Sequence, residues 1–297
     1  MRTFLLTAAS AIVLAACGGE GTDVPDADAA TPPPAAEIAA APETMDVAAV
    51  LAADWRSEAE KARDSQRNPA ETLAFFEVDG DETLVEIWPG GGWYTKIFAP
   101  LAKANGGTYI AAGFDPVGSE FRANAMARFN ETYVSNPDVY GDIDVTVFSA
   151  ESDGFAEPGT VDTVLTFRNV HNWMSGGYTD KFFTDAYAAL KPGGILGVVE
   201  HRLPSTAEQD PQAASGYVHE DVVKAFAADA GFEFVEASEV NANPADTADH
   251  PFGVWTLPPV SRTEDRDGNT PDGFDAASYA AIGESDRMTL KFVKPAE

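Results

Sequence analysis

Thiols are nearly missing from this 297-residue chain: Cys17 is its single cysteine, so no disulfide can close within one molecule and no cysteine-built metal centre is available. Cations are scarce too. Lys and Arg number 19 against 48 Asp and Glu, and a formal net charge of −29 repels nucleic acid and anionic membrane surfaces. So much acid reads first as solubility in a salty medium rather than as a binding function. Histidine occurs only at His171, His201, His219 and His250, with no His-x-x-x-His pair, and no metal ligand is assigned. No stretch approaches the ~20 apolar residues of a membrane-spanning helix, and no segment repeats. What is present, 44% hydrophobic residues, suffices for an ordinary globular core.

Residues 1–16 hold one basic side chain, Arg2, then the apolar runs Phe4-Leu5-Leu6 and Ala11-Ile12-Val13-Leu14, then Ala15 and Ala16. This order reads as a secretory signal peptide. Leu14-Ala15-Ala16-Cys17 resembles the lipobox of bacterial lipoproteins, which implies acylation of Cys17 and an exported, lipid-anchored protein. Gly18 carries no inner-membrane retention signal, so the outer membrane, facing the periplasm, is the expected address. Residues 17–44 are rich in Ala, Pro and Asp, cannot bury a core, and read as a tether stiffened at Pro32-Pro33-Pro34.

From Met45 the pattern changes. Val47, Val50, Leu51 and Trp55 repeat at helical spacing and open a domain expected over residues 45–297. Strands are expected at 83–87, 108–112, 145–148, 163–167, 195–200, 232–237 and 288–293, with helices near 94–103, 118–129, 179–190 and 220–230. Alternation of this kind predicts an α/β, Rossmann-like, seven-stranded and mostly parallel sheet with helices on both faces. A long insert at about 241–285, rich in Pro, Gly and Asp, separates the last two strands. Loops of that length are functional or disordered.

Val85-Glu86-Ile87-Trp88-Pro89-Gly90-Gly91-Gly92 lies where the first strand turns into a helix, and glycine there lets a ligand approach the backbone. Asp162-Thr163-Val164-Leu165-Thr166-Phe167 and Ala189-Leu190-Lys191-Pro192-Gly193-Gly194-Ile195-Leu196 follow in order. Together the three segments resemble the class I S-adenosylmethionine-dependent methyltransferases. More closely, residues 63–295 resemble a family of exported bacterial proteins described as predicted methyltransferases. The phrases that carry the likeness include Asn68-Pro69-Ala70-Glu71-Thr72-Leu73, Leu165-Thr166-Phe167-Arg168-Asn169-Val170-His171-Asn172-Trp173 and Gly253-Val254-Trp255-Thr256-Leu257-Pro258-Pro259.

The resemblance implies an antiparallel seventh strand and S-adenosylmethionine as cofactor, with Glu86, Gly90, Gly91, Gly92, Asp115 and Glu151 as its contacts. The chain departs from the usual pattern twice. Trp88 stands at the first glycine of the loop, where an indole blocks the cofactor or stacks on it, and Gly113 falls near the place of the ribose-binding acid, with Asp115 two residues on.

Ligands of parallel sheets bind beyond the strands' C-terminal ends. Arg168, Asn169, His171 and His201 are the candidate catalytic residues at that rim, and Trp93, Tyr94, Trp173, His250 and Arg287 the candidate substrate pocket. Glu200 and Glu284 reach the same rim, whereas His219 begins a helix in solvent. A general base with an orienting carboxylate, a divalent metal held by His and Asp, and hydrogen bonds that pin the insert all remain open.

Three functions follow. The first is methyl transfer to a small molecule, the expected partner, with membrane contact through the lipid alone and no oligomeric state indicated. S-adenosylmethionine is made in the cytoplasm, so export also leaves open a periplasm-facing ligand-binding lipoprotein. The third is a cofactor-independent enzyme using the His171, His201 and His250 rim.

Overall fold

The expected strands pair into one sheet in the order β3-β2-β1-β4-β5-β8-β6. A computed structural model describes residues 44–296; the expected signal peptide, the lipidation at Cys17 and the tether before residue 44 lie outside the described residues. The strands are β1 (Thr83–Ile87), β2 (Thr108–Phe114), β3 (Ile143–Phe148), β4 (Val161–Phe167), β5 (Leu190–His201), β6 (Glu233–Ser238) and β8 (Arg287–Val293). A short strand, β7 (Pro251–Val254), belongs to the insert and stands outside the sheet. β8 runs antiparallel to both its neighbours and the other six strands run together. This is the Rossmann-like methyltransferase fold expected from the sequence.

Alternation along the strands divides the core. Val85 and Ile87 of β1 join one apolar cluster with Val164, Trp173, Phe182 and Leu290, under the helices Val170–Gly176, Thr179–Ala189 and Glu220–Asp229. Leu84 joins the other, with Ile97, Phe98, Leu165 and Val199, under Val47–Ala52, Pro69–Phe75 and Thr95–Asn105. Trp173 and Phe182 stack at 4.0 Å with no exposed surface. Truncating either buried ring costs about 3–5 kcal/mol. Among the described residues no helix is long and apolar enough to cross a membrane.

Two differences from the sequence reading bear on function. β2 continues past the expected end at Ala112 to Phe114, so Asp115 is the first residue beyond the strand. The insert is ordered by polar contacts rather than by an apolar core. Asn241 Nδ2 donates to Thr72 and Thr289 at 3.0 Å, and Asp246 accepts from Tyr217 OH, His250 Nε2 and the Asp286 amide at 3.1 Å or less. Those bonds hold residues 254–260 over the sheet's C-terminal edge.

Candidate active site

The neighbours of β1 in the sheet are β2 on one side and β4 on the other, so crossovers leave it in both directions and open a crevice at the strand ends. A cavity of about 450 Å³ occupies that crevice and a second of about 390 Å³ adjoins it; Gly90 and Gly91 line both. A side chain at Gly91 would meet nothing within 4 Å, and at Gly90 only the Trp88 carbonyl at 3.9 Å. The turn is therefore an open backbone ridge between two hollows. Gly92 is glycine for a different reason: with φ of 77°, its α-carbon lies against the Tyr133 ring, where a Cβ would come within 2.3 Å. Tyr133 OH also donates to Gly91 O at 2.7 Å and fixes the ridge.

Trp88 has φ of 50°, the left-handed conformation that suits glycine. Its indole Nε1 donates to Phe148 O at 2.9 Å, and its rings lie 4.8 Å from Phe114, 5.7 Å from Trp173 and 6.4 Å from Tyr178. The indole thus joins the ends of β1, β2 and β3 to the helix after β4. It is only half-buried and still lines the larger cavity, as a wall rather than a plug through it.

Glu86, at the end of β1, accepts from Tyr109 OH at 2.5 Å and Thr95 Oγ1 at 3.0 Å. Burial raises its carboxyl to about 7, with those two hydrogen bonds opposing. A raised carboxyl favours the protonated folded state, so its contribution is full below the ordinary carboxylate value and is lost as pH climbs through about 7. Glu86→Gln keeps an oxygen acceptor for Tyr109 and Thr95. It should raise the melting temperature at pH 8 and leave it unchanged at pH 4, the gain reaching roughly 3 kcal/mol. Melts that are superimposable across that range would mean that Glu86 stays ionised.

At the other wall the chain leaves β4 through Phe167, stacked on Tyr94 at 3.7 Å, and enters Arg168 with φ of 63°. Asn169, expected to be catalytic, lines the cavity, and its Nδ2 donates to Ile87 O at 2.9 Å and Thr166 Oγ1 at 3.2 Å, tying β4 to β1. His171 and His201 do come together, their rings 5.4 Å apart. His171 Nδ1 lies 3.0 Å from Glu200 Oε1, and the fully buried Glu200 also accepts the His171 amide at 3.3 Å and the His201 amide at 2.7 Å. A carboxylate anchored in this way fixes the orientation of the imidazole. His201 Nδ1 meets Ser285 Oγ at 2.6 Å. Burial, then His171 and the guanidinium groups of Arg168, Arg287 and Arg67, push the His201 imidazole well below its ordinary value. It is neutral at physiological pH.

Ligand atoms of His171, Glu200 and His201 lie within 4.8 Å of one another, close enough for a cation. The guanidinium groups of Arg168, Arg287 and Arg67 around His201 oppose a cation there, and Glu200 is already engaged by the His171 ring and two backbone N–H groups. No metal is assigned.

The other expected pocket residues divide. Trp93 and Tyr94 line the cavity, and Trp255 of the insert faces His171 at 6.0 Å. Trp173 is core, and His250, buried against Asp246 at 2.8 Å inside the insert, does not line the cavity. Arg287 lies behind Glu284 at 3.1 Å. Glu151 is exposed and lines neither cavity. Gly113 lies inside β2 with the flexible end of the Met126 side chain packed against it, so any side chain there would have to displace that thioether. The acid at the exit of β2 is Asp115, whose Oδ1 accepts the Val117 amide at 2.8 Å.

Arg63 and Arg67 also line the cavity and were not singled out from the sequence. A capping box at Ser57 and Glu60 seats the helix Glu58–Lys61, and the left-handed Asn68 ends Asp64–Arg67, which turns Arg67 inward. The available signal was two arginines close together in a chain with so few cations.

No family model matches the sequence, and no curated protein matches it. Solved structures share its fold. A protein from Galdieria sulphuraria, provisionally named a sarcosine dimethylglycine methyltransferase, is 12% identical with a TM-score of 0.51, covering 82% of this chain and 89% of that one. The [4+2]-cyclase SpnF is 15% identical with a TM-score of 0.49, over 78% and 81%. A SAM-dependent methyltransferase from Aquifex aeolicus is 17% identical with a TM-score of 0.44, over 66% and 94%. At such identities the likeness is one of fold.

Proposed function

We propose that this chain is a S-adenosylmethionine-dependent methyltransferase acting on a small molecule held beside His171. The observation that carries this reading is the open Gly90–Gly91 ridge shared by two cavities, which leaves an elongated ligand free to cross bare backbone. The ridge and Glu86 near the end of β1 line the crevice and would hold the cofactor, with Trp88 and Phe114 as aromatic walls, whereas Asp115, just beyond β2, lines neither cavity. Bound there, it supplies an electrophilic methyl group. The protein's own work is to align the acceptor and to take up its proton, for which the His171–Glu200 pair is built. The larger cavity lies in the usual range of roughly 300–1,000 Å³ for small-molecule sites. Export and acylation at Cys17 belong to the same proposal and rest on the order of residues before Cys17.

Trp88 favours a second reading, a cofactor-independent site using His171 and His201, because its indole is bonded into the very edge that the cofactor would touch. Calorimetric titration with S-adenosylmethionine and S-adenosylhomocysteine separates the two. Methyltransferase function requires saturable heat with both, and silence at millimolar ligand sinks it. Trp88→Gly restores the usual loop residue; binding that appears only in this variant assigns the native protein to the second reading.

A further inference from the structure

At one end of the cavity several guanidinium groups converge on a single carboxylate. Arg63, Arg67 and Arg287 reach Glu284 within 3.1 Å, and Arg168 stands 3.8 Å from it. Other acids do not balance them: Glu200 stands across the site and is engaged by His171 and two backbone amides. Glu60 is bound to Lys96 at 2.7 Å, and Glu86 is raised to about 7 by burial. In a chain of net charge −29 the cavity is a pocket of uncompensated positive charge.

Arg168 differs from the other three. Its guanidinium donates no hydrogen bond among the described residues, 24% of its side chain is exposed, and it lines the cavity beside His171 and His201. Its backbone sits at φ of 63°, a conformation that costs a non-glycine residue on the order of 1 kcal/mol. Strain and unused donors at one residue, facing a hollow, point to a ligand that uses them. A guanidinium fork matches the paired oxygens of a carboxylate or phosphate.

We infer that the cavity binds an anionic small molecule, its carboxylate or phosphate oxygens taken by Arg168, with Arg63 and Arg67 adding charge and the histidines beside the rest of the molecule. This rests on the methyltransferase reading only in calling that molecule the substrate.

Thermal melts with inorganic phosphate and with malonate, at constant ionic strength against chloride, test it. Either anion should raise the melting temperature saturably. Arg168→Gly should weaken that binding at least about tenfold, while the ligand-free protein melts at the same temperature or higher, because glycine relieves the φ and one repulsive charge is gone. Arg168→Gln, which keeps the bulk without the charge, should show the same loss. The inference is overturned if neither anion acts, if both variants bind as the native chain does, or if S-adenosylhomocysteine competes with the anion, which would give the oxyanion site to the cofactor's own carboxylate. Anion binding without cofactor binding sinks the methyltransferase reading alone; cofactor binding without anion binding sinks only this one.

Discussion

Glu284→Ala is expected to cost about 3–5 kcal/mol, because it strips buried guanidinium groups of their shared counter-charge. For a domain of this size that lowers the melting temperature by roughly 10 °C. Arg287 keeps its bonds to the Ser285 and Gln66 carbonyls and Arg67 its place over the Trp93 ring, but neither keeps an anionic partner, and with Arg63 and Arg168 beside them like charges in a dry pocket repel strongly. Repulsion is already visible with Glu284 in place: burial, then Arg168, pulls the Arg67 guanidinium down to about 10. The pH dependence has a definite sign. Burial pushes the Glu284 carboxyl up, but Arg67, Arg287, Arg168 and Arg63 together hold it below its ordinary value. A lowered carboxyl contributes fully above the ordinary value and loses that contribution as pH falls below it. Melting of the native chain should therefore drop on acidification below about pH 4.5, and Glu284→Ala should flatten that limb. Loss of less than ~1 kcal/mol, the worth of an exposed pair, would show that water reaches the cluster and that no field of this strength exists.

The same cluster explains how so acidic a chain can attract an anion. Net charge governs the approach to the surface, where salt screens it within about 8–10 Å. Inside the cavity the nearest groups decide, and those are arginines. Steering should oppose capture, so binding of an anion should strengthen as salt rises until direct screening of the arginines takes over.

The fold was legible because it is written in local periodicity. Short apolar runs with alternating faces, amphipathic stretches between them and glycine at the first turn were each visible in one window of sequence, whereas the antiparallel seventh strand was legible only through the family resemblance and the order of the strands only in the folded sheet. The exit of β2 shows where that legibility ends. The sequence predicts an end to β2 at Ala112, with Gly113 near the place of the ribose acid; pairing with β3 carries the strand on to Phe114, so Gly113 falls inside it and Asp115 just beyond. His171 and His201 were brought to one rim by topology alone. Glu200 could be seen to end β5, but nothing in its position announces that one carboxylate serves both histidines. His250 looked equivalent to them and is not. Its partner Asp246 sits one helical-type spacing away in an irregular insert, and only the folded insert turns both inward. Arg63 and Arg67 lie over 200 residues from Glu284, a separation at which no spacing rule operates.

The largest functional effect should come from the His171–Glu200 pair. Proton uptake is proposed for His171, whose ring is oriented by Glu200, rather than for His201, whose ring is held by Ser285. His171→Ala should lower formation of S-adenosylhomocysteine in the presence of an acceptor by about 10²–10⁴-fold, the usual worth of a positioned acid or base, while cofactor heat stays close to native and the melting temperature falls by less than in Glu200→Ala, because the buried carboxylate loses its ring partner but keeps both amides. Glu200→Ala should lower turnover as far and lose stability as well, because it leaves the His171 ring and two backbone amides without an acceptor in a dry site. His201→Ala should fall between, since its ring is tied to Ser285 rather than to a carboxylate. The pattern matters more than any single value. Equal turnover for His171→Ala and the native chain would leave proton removal to solvent and reduce the pair to scaffolding. Equal stability for His171→Ala and Glu200→Ala would mean that Glu200 orders the imidazole and nothing else, and that the amides find water.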